Sequence, residues 1–119
     1  MSKTALIIDD ELPLREIICE ALKLMNIDTI PADGGKQALK IAETLDSLDL
    51  IVLDMNMPEM DGEETYQLLS KFFPHTPVIF MSGYDMEEWL EKMDLQNSNC
   101  FLKKPFRISD IHQVIKEMI

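Results

Sequence analysis

The stretch Leu48-Asp49-Leu50-Ile51-Val52-Leu53-Asp54-Met55-Asn56-Met57-Pro58-Glu59-Met60-Asp61-Gly62 decides how the rest of the chain is read. Leu50 to Leu53 is an unbroken aliphatic run, the kind that fills an interior strand of a parallel sheet, covered on both faces. Asp54 ends it. A carboxylate on the last residue of such a strand emerges at the C-terminal edge of the sheet, where open α/β folds hold their ligands. Taken alone, Asp54 reads equally well as a strand stop that begins a turn. The loop does not spell a calcium site: with Asp54 and Asn56 in the first and third positions, the sixth, which requires Gly, is Glu59.

The same pattern occurs upstream, where the apolar run Thr4 to Ile8 is followed at once by Asp9-Asp10-Glu11. After Pro13, the residues Leu14, Ile17, Ile18, Ala21, Leu22 and Met25 recur at helical spacing, and Asn26 supplies a C-terminal stop. Ile27 to Ala32 is a weaker strand whose Pro31 suits a sheet edge. The turn Asp33-Gly34-Gly35 leads into a helix marked by Ala38, Leu39, Ile41, Ala42 and Leu45. Thr65, Tyr66, Leu68, Leu69, Phe72 and Phe73 mark a third helix, which Pro74 ends. Val78 to Met81 is a fourth buried strand, closing on Ser82-Gly83. A helix over about 85–93 and a polar turn at 96–99 precede a fifth strand from Cys100 to Leu102, which closes on Lys103-Lys104-Pro105-Phe106. Ile108, Ile111, Val114, Ile115 and Met118 place a last helix on the sheet. Five strands alternating with five helices imply an α/β fold, a parallel sheet wound on both faces.

The 119 residues suit one domain over 1–119, with enough chain to bury roughly two-thirds of its unfolded surface without disulfides. Cys19 and Cys100 form no ligand cluster and read as small apolar residues of a reducing compartment, so a cytoplasmic location is expected. No signal segment or membrane span is visible. A net charge of −11 argues against direct nucleic-acid binding and favours a cation or a basic surface as partner. Most of the acid, including Glu87, Glu88 and Glu91, reads as solvated surface. The nine Met are scattered and mark no binding groove.

The winding brings Asp9, Asp10, Glu11, Asp54, Ser82 and Lys104 to loops on one edge. Three carboxylates within about 5 Å repel by roughly 3 kcal/mol per pair at an effective dielectric near 20. A hard cation such as Mg²⁺ offsets this and shares its shell readily with phosphate oxygens. An Asp in that setting can attack phosphorus and form an aspartyl phosphate, with Lys104 and Ser82 supplying a cation and a hydroxyl donor to the phosphoryl group.

Asp9-Asp10-Glu11, Asp54 with Met57-Pro58 and Asp61-Gly62 behind it, Ser82-Gly83 and Lys104-Pro105-Phe106 resemble, in order and spacing, the receiver domain of two-component response regulators. The likeness covers the whole chain and is chemotaxis-regulator-like. It implies a flavodoxin-like strand order 2-1-3-4-5 and a phosphoacceptor at Asp54. It implies Mg²⁺ or Mn²⁺ held by Asp10, Asp54 and the main-chain carbonyl of Asn56, and through water by Asp9. Ser82 and Lys104 would contact the phosphoryl oxygens, and the Lys104-Pro105 peptide would be cis. A switch pair of Ser82 and Phe101 is implied, in which Phe101, lacking the hydroxyl of the Tyr common there, favours the buried rotamer in both states. Asn56 and Tyr84 would flank the path of the hydrolytic water and tune loss of the phosphoryl group. The phosphoryl donor would be a histidine kinase or a phosphotransfer domain. The output face, for a downstream protein target, would be the fourth helix, fifth strand and fifth helix, around Met86, Trp89, Lys103 and Phe106. The stretches 60–65 and 81–85 are most like receivers fused to hybrid sensor kinases.

Three rivals differ in what they require. A flavodoxin-type carrier needs a Ser/Thr/Gly-rich phosphate loop where this chain has Asp9-Asp10-Glu11. A haloacid dehalogenase-type phosphatase needs a second Asp two residues after the nucleophile, where this chain has Asn56. A receiver-like docking module that takes no phosphate would lack motif residues that are all present. His75 lies in a loop far from the acid cluster, His112 on the last helix has no partner at ligand spacing, and Trp89 reads as a partly covered surface aromatic.

Overall fold

In the computed structural model, which describes residues 3–57, 59–83 and 100–118, each apolar run of the sequence is a strand. These are β1 (Lys3–Ile8), β2 (Ile27–Ala32), β3 (Leu50–Asp54), β4 (Val78–Ser82) and β5 (Cys100–Lys103). All pairs are parallel and the order is β2-β1-β3-β4-β5, the flavodoxin-like order expected. Four helices are described: α1 (Leu12–Lys23), α2 (Gly35–Ala42), α3 (Gly62–Phe72) and α4 (Ile108–Met118). The helix expected over 85–93 and the turn at 96–99 lie outside the described residues.

Alternation along the strands divides the core in two. Leu6, Ile8, Ile51, Leu53, Val78 and Phe80 pack on one face with residues of α2 and α3. Ala5, Ile7, Leu50, Val52, Ile79 and Met81 pack on the other with residues of α1 and α4. Because both faces are covered, β3 and β4 are buried at every position, and their sequences show no polar alternation.

The helix boundaries follow local chemistry. Pro13 lies in the first turn of α1, where a missing N–H costs nothing. Asn26, just past α1, has φ 61, the left-handed conformation that Asn tolerates at helix ends. Pro74 follows the end of α3, as expected. Pro31 sits on edge strand β2, opposite Ile7. In the expected stripe of α1, Ile18, Ala21 and Leu22 are buried, but Ile17 is exposed, because it lies at the border of the stripe. Phe72 is likewise exposed, and its neighbour Phe73 fills the core instead. Leu45 lies beyond the end of α2 yet still packs against the core, so apolar periodicity overran the helix.

Candidate functional site

Strand register builds the site. Ile8 pairs with Leu53, so the residues that follow them, Asp9 and Asp54, emerge side by side at the C-terminal edge of the two central strands. Asp54 pairs with Met81, and Ser82 pairs with Lys103, which brings Ser82 and Lys104 to the same edge from the other side. The ladder continues one bond further on each strand: Met55 N–H donates to the Met81 carbonyl at 2.9 Å, and Lys104 N–H to the Ser82 carbonyl at 2.8 Å. The Lys104-Pro105 peptide is cis, as the resemblance implied.

Asp9, Asp10 and Asp54 each offer a carboxylate oxygen, and these oxygens lie within 4.8 Å of one another. Asp9 and Asp54 are buried to 0% and 1% exposure, while Asp10 is exposed to solvent. Each buried carboxylate has one oxygen held by a main-chain amide two residues on: Glu11 N–H donates to Asp9 Oδ1 at 2.8 Å, and Asn56 N–H donates to Asp54 Oδ1 at 3.0 Å. Asp9 Oδ2 and Asp54 Oδ2 lack a hydrogen-bond partner among the described residues. Lys104 Nζ faces both, 3.7 Å from Asp9 Oδ2 and 3.2 Å from Asp54 Oδ2. Ser82 Oγ donates to Asn56 Oδ1 at 3.0 Å, so hydroxyl, amide and acid form one continuous edge.

One lysine does not balance this charge. Burial pushes the Asp9 carboxyl up to about 6, with the Asp54 charge adding to the shift and the Glu11 amide and Lys104 opposing it. Burial also holds Asp54 above the ordinary carboxylate range, against the Asn56 amide and Lys104, with the Asp10 charge adding to the rise. Buried oxygens that share one lysine, in an all-oxygen cluster of excess negative charge, suit a hard divalent cation. The residues present therefore fit Mg²⁺ or Mn²⁺.

Gly62 sets the loop after β3. A Cβ there would lie 2.5 Å from Met55 Cα and 2.9 Å from the Asp54 carbonyl, so only glycine lets α3 begin against the acid turn. Asp61 caps that helix, accepting from Glu64 N–H at 2.9 Å. A cavity of about 330 Å³ opens beside Asp10, between Gly34, Gly35 and Lys36 on one side and Met57 and Glu59 on the other.

Phe101 is partly buried against the α2–α3 core, with its ring stacked 5.3 Å from Phe80, which in turn meets Tyr66 edge-on at 5.1 Å. Tyr84, Met86, Trp89 and Pro58 lie outside the described residues. His112 Nε2 is 2.9 Å from the Ala21 carbonyl, a bond between α4 and α1 remote from the acids. The sequence reading passed over Arg15, whose Nη1 donates to the Asp9 carbonyl at 2.7 Å. Its one signal was a basic residue a helical turn after an acidic one.

The model of the response regulator receiver domain family matches residues 5–116. The sensor kinase CckA of Brucella abortus (strain 2308) is 34% identical over 119 residues, covering 99% of this chain and 13% of that protein. The sporulation initiation phosphotransferase F of Bacillus subtilis (strain 168) is 29% identical over 119 residues, covering 100% of this chain and 95% of that protein. The chain thus spans only a small part of some curated relatives and nearly all of another. Among solved structures, chemotaxis protein CheY4 of Vibrio cholerae has the same fold, with a TM-score of 0.90 at 21% identity over the whole of both chains. The receiver domain of the hybrid histidine kinase CckA matches with a TM-score of 0.81 at 27% identity, over 97% of each chain. Among the described residues no helix is long and apolar enough to cross a membrane.

Proposed function

The chain belongs to the response regulator receiver domain family of two-component signalling, and from that premise we propose that it is a switch thrown by transfer of a phosphoryl group onto Asp54. The observation that carries the reading is Asp54 Oδ2, a buried carboxylate oxygen held by no main-chain amide and paired with Lys104 Nζ at 3.2 Å. The other oxygen of Asp54 is tethered by the Asn56 amide, which leaves Oδ2 as the attacking atom. As the new O–P bond forms, the P–N bond of a phosphohistidine donor breaks and its electron pair returns to the imidazole ring. The donor would belong to a histidine kinase or a phosphotransfer domain, in keeping with the sensor kinase and the phosphotransferase among the relatives.

Asp9, Asp10, Asp54 and the Asn56 carbonyl would hold Mg²⁺ or Mn²⁺, which when bound offsets the charge of the acids and of the phosphoryl oxygens. Lys104 lies where a second positive charge would meet the product. Ser82 would exchange its bond to Asn56 for one to a phosphoryl oxygen, and Phe101, already packed inward, would tighten into the space left beside β4. Asn56 and Tyr84 would set how quickly water removes the group. The signal would leave through β5, α4 and residues 85–93 toward a protein target. The chemistry acts once on the chain's own carboxylate, so the protein works as a receiver and not as an enzyme on external substrates. The likeness to a segment of a sensor kinase supports a place as one module of a hybrid chain, with 1–119 as the receiver unit.

Thermal melting tests this reading. Mg²⁺ should raise the melting temperature as its concentration passes Kd, because it binds only the folded state. Beryllofluoride, a phosphoryl mimic, should add a further rise that Asp54→Asn abolishes. A beryllofluoride effect of equal size in that variant would overturn the assignment of Asp54.

A further inference from the structure

Asp9 has both main-chain groups and one carboxylate oxygen engaged. Its N–H donates to the Ala32 carbonyl at 3.2 Å, and its Oδ1 accepts from Glu11 N–H at 2.8 Å. Its carbonyl, beyond the end of β1 and ahead of α1, accepts from Arg15 Nη1 at 2.7 Å. Only Oδ2 is left, and it faces the acid cluster and Lys104. Arg15 holds the turn at two points, because its own N–H donates to the Glu11 carbonyl at 3.0 Å while its side chain reaches back to Asp9. Asp10, the exposed acid of the cluster, lies between those two anchors. Glu11, Glu16 and Glu20 are close in sequence, yet among the described residues Arg15 forms no ion pair, and the guanidinium is given to a main-chain oxygen.

We propose that Arg15 is a positioning residue for the cation site: it clamps the Asp9-Asp10-Glu11 turn and so fixes where two of the three carboxylates point, without touching the metal. The inference rests on reading the acid cluster as a divalent-cation site. Partners of metal ligands that act in this way typically set affinity by 10–100-fold. Arg15 also lines a groove of about 400 Å³ between α1 and β2, with Leu12, Cys19 and Pro31, so the clamp is accessible from the surface.

The test is a calorimetric titration of the full chain with Mn²⁺. Arg15→Met keeps the apolar stem and removes every donor, and should raise the Mn²⁺ Kd by about tenfold or more. Its melting temperature in EDTA should fall only slightly, because the Asp9 carbonyl loses one donor while the rest of the fold is untouched. Arg15→Lys, which retains a charged donor, should recover part of the affinity. Labelling by acetyl phosphate should be slow in Arg15→Met at low Mg²⁺ and reach the wild-type rate at saturating Mg²⁺, a dependence that a general loss of folding would not give. If Arg15→Met does not fold, Arg15→Gln carries the same titration. Wild-type affinity in a variant that folds would overturn the proposal, as would labelling that saturating Mg²⁺ fails to restore. A wild-type chain that binds no Mn²⁺ would overturn the site reading itself, an outcome distinct from failure of the clamp.

Discussion

Asp9 and Asp54 occupy positions that a carboxylate would leave if the fold were shaped for stability alone. Both are buried, and their second oxygens share a single lysine. The consequence is a pH dependence of known sign. The Asp9 carboxyl binds its proton more tightly in the folded chain, at about 6, than at its ordinary 3.8. Its contribution to stability is therefore fully present below about pH 4 and lost as pH rises through 6. Asp54, shifted in the same direction, adds to the effect. In EDTA the melting temperature should rise as pH is lowered from 7 to about 5, and saturating Mg²⁺ should flatten that slope by stabilising the ionised form at neutral pH. Asp10→Asn should raise the EDTA value at pH 7 by removing a repelling charge, and should blunt the response to metal. A metal-free melting temperature that falls over this interval would contradict the assignment of burial as the dominant influence on both acids.

The elements were legible where composition had only one use. A run such as Leu50 to Leu53 with no polar alternation reads as an interior strand, and the polar residue that stops such a run emerges at the C-terminal edge of the sheet. Asp9, Asp54 and Ser82 were therefore readable before any coordinates, and register then brought their strands together. Strand order was not readable from the pattern and came only through the likeness of the motifs. Arg15 escaped because its bond runs to a main-chain oxygen, which leaves no mark on side-chain periodicity. The shifted acidity of Asp9 escaped because it depends on burial and on Asp54, 45 positions away. Gly62 was seen as part of a motif, but its physical reason is a contact between elements: α3 begins against the backbone of Met55. Gly62→Ala should cost about 1–3 kcal/mol of folding stability, the range for forced overpacking, measured by urea unfolding in EDTA. A neutral result would mean that the loop after β3 yields more easily than its contacts indicate.

At the scale of the whole molecule, one sheet separates two cores and carries the acids along a single edge. Phe80 is shared between the site strand β4 and the aromatic contacts with Tyr66 and Phe101, so a rearrangement at Ser82, as proposed, would have a packed route toward β5 and α3. The excess of acid, 22 Asp and Glu against 11 Lys and Arg, favours a cation or a basic surface as partner over nucleic acid. On the proposed function, this architecture directs one phosphoryl group to one oxygen. Intact-mass measurement after incubation with acetyl phosphate and Mg²⁺ tests it most directly. The expected result is a single added phosphoryl group, lost on treatment with hydroxylamine as acyl phosphates are, absent in EDTA, and absent in Asp54→Asn, whose amide cannot attack phosphorus. Full labelling of Asp54→Asn at another residue would contradict it.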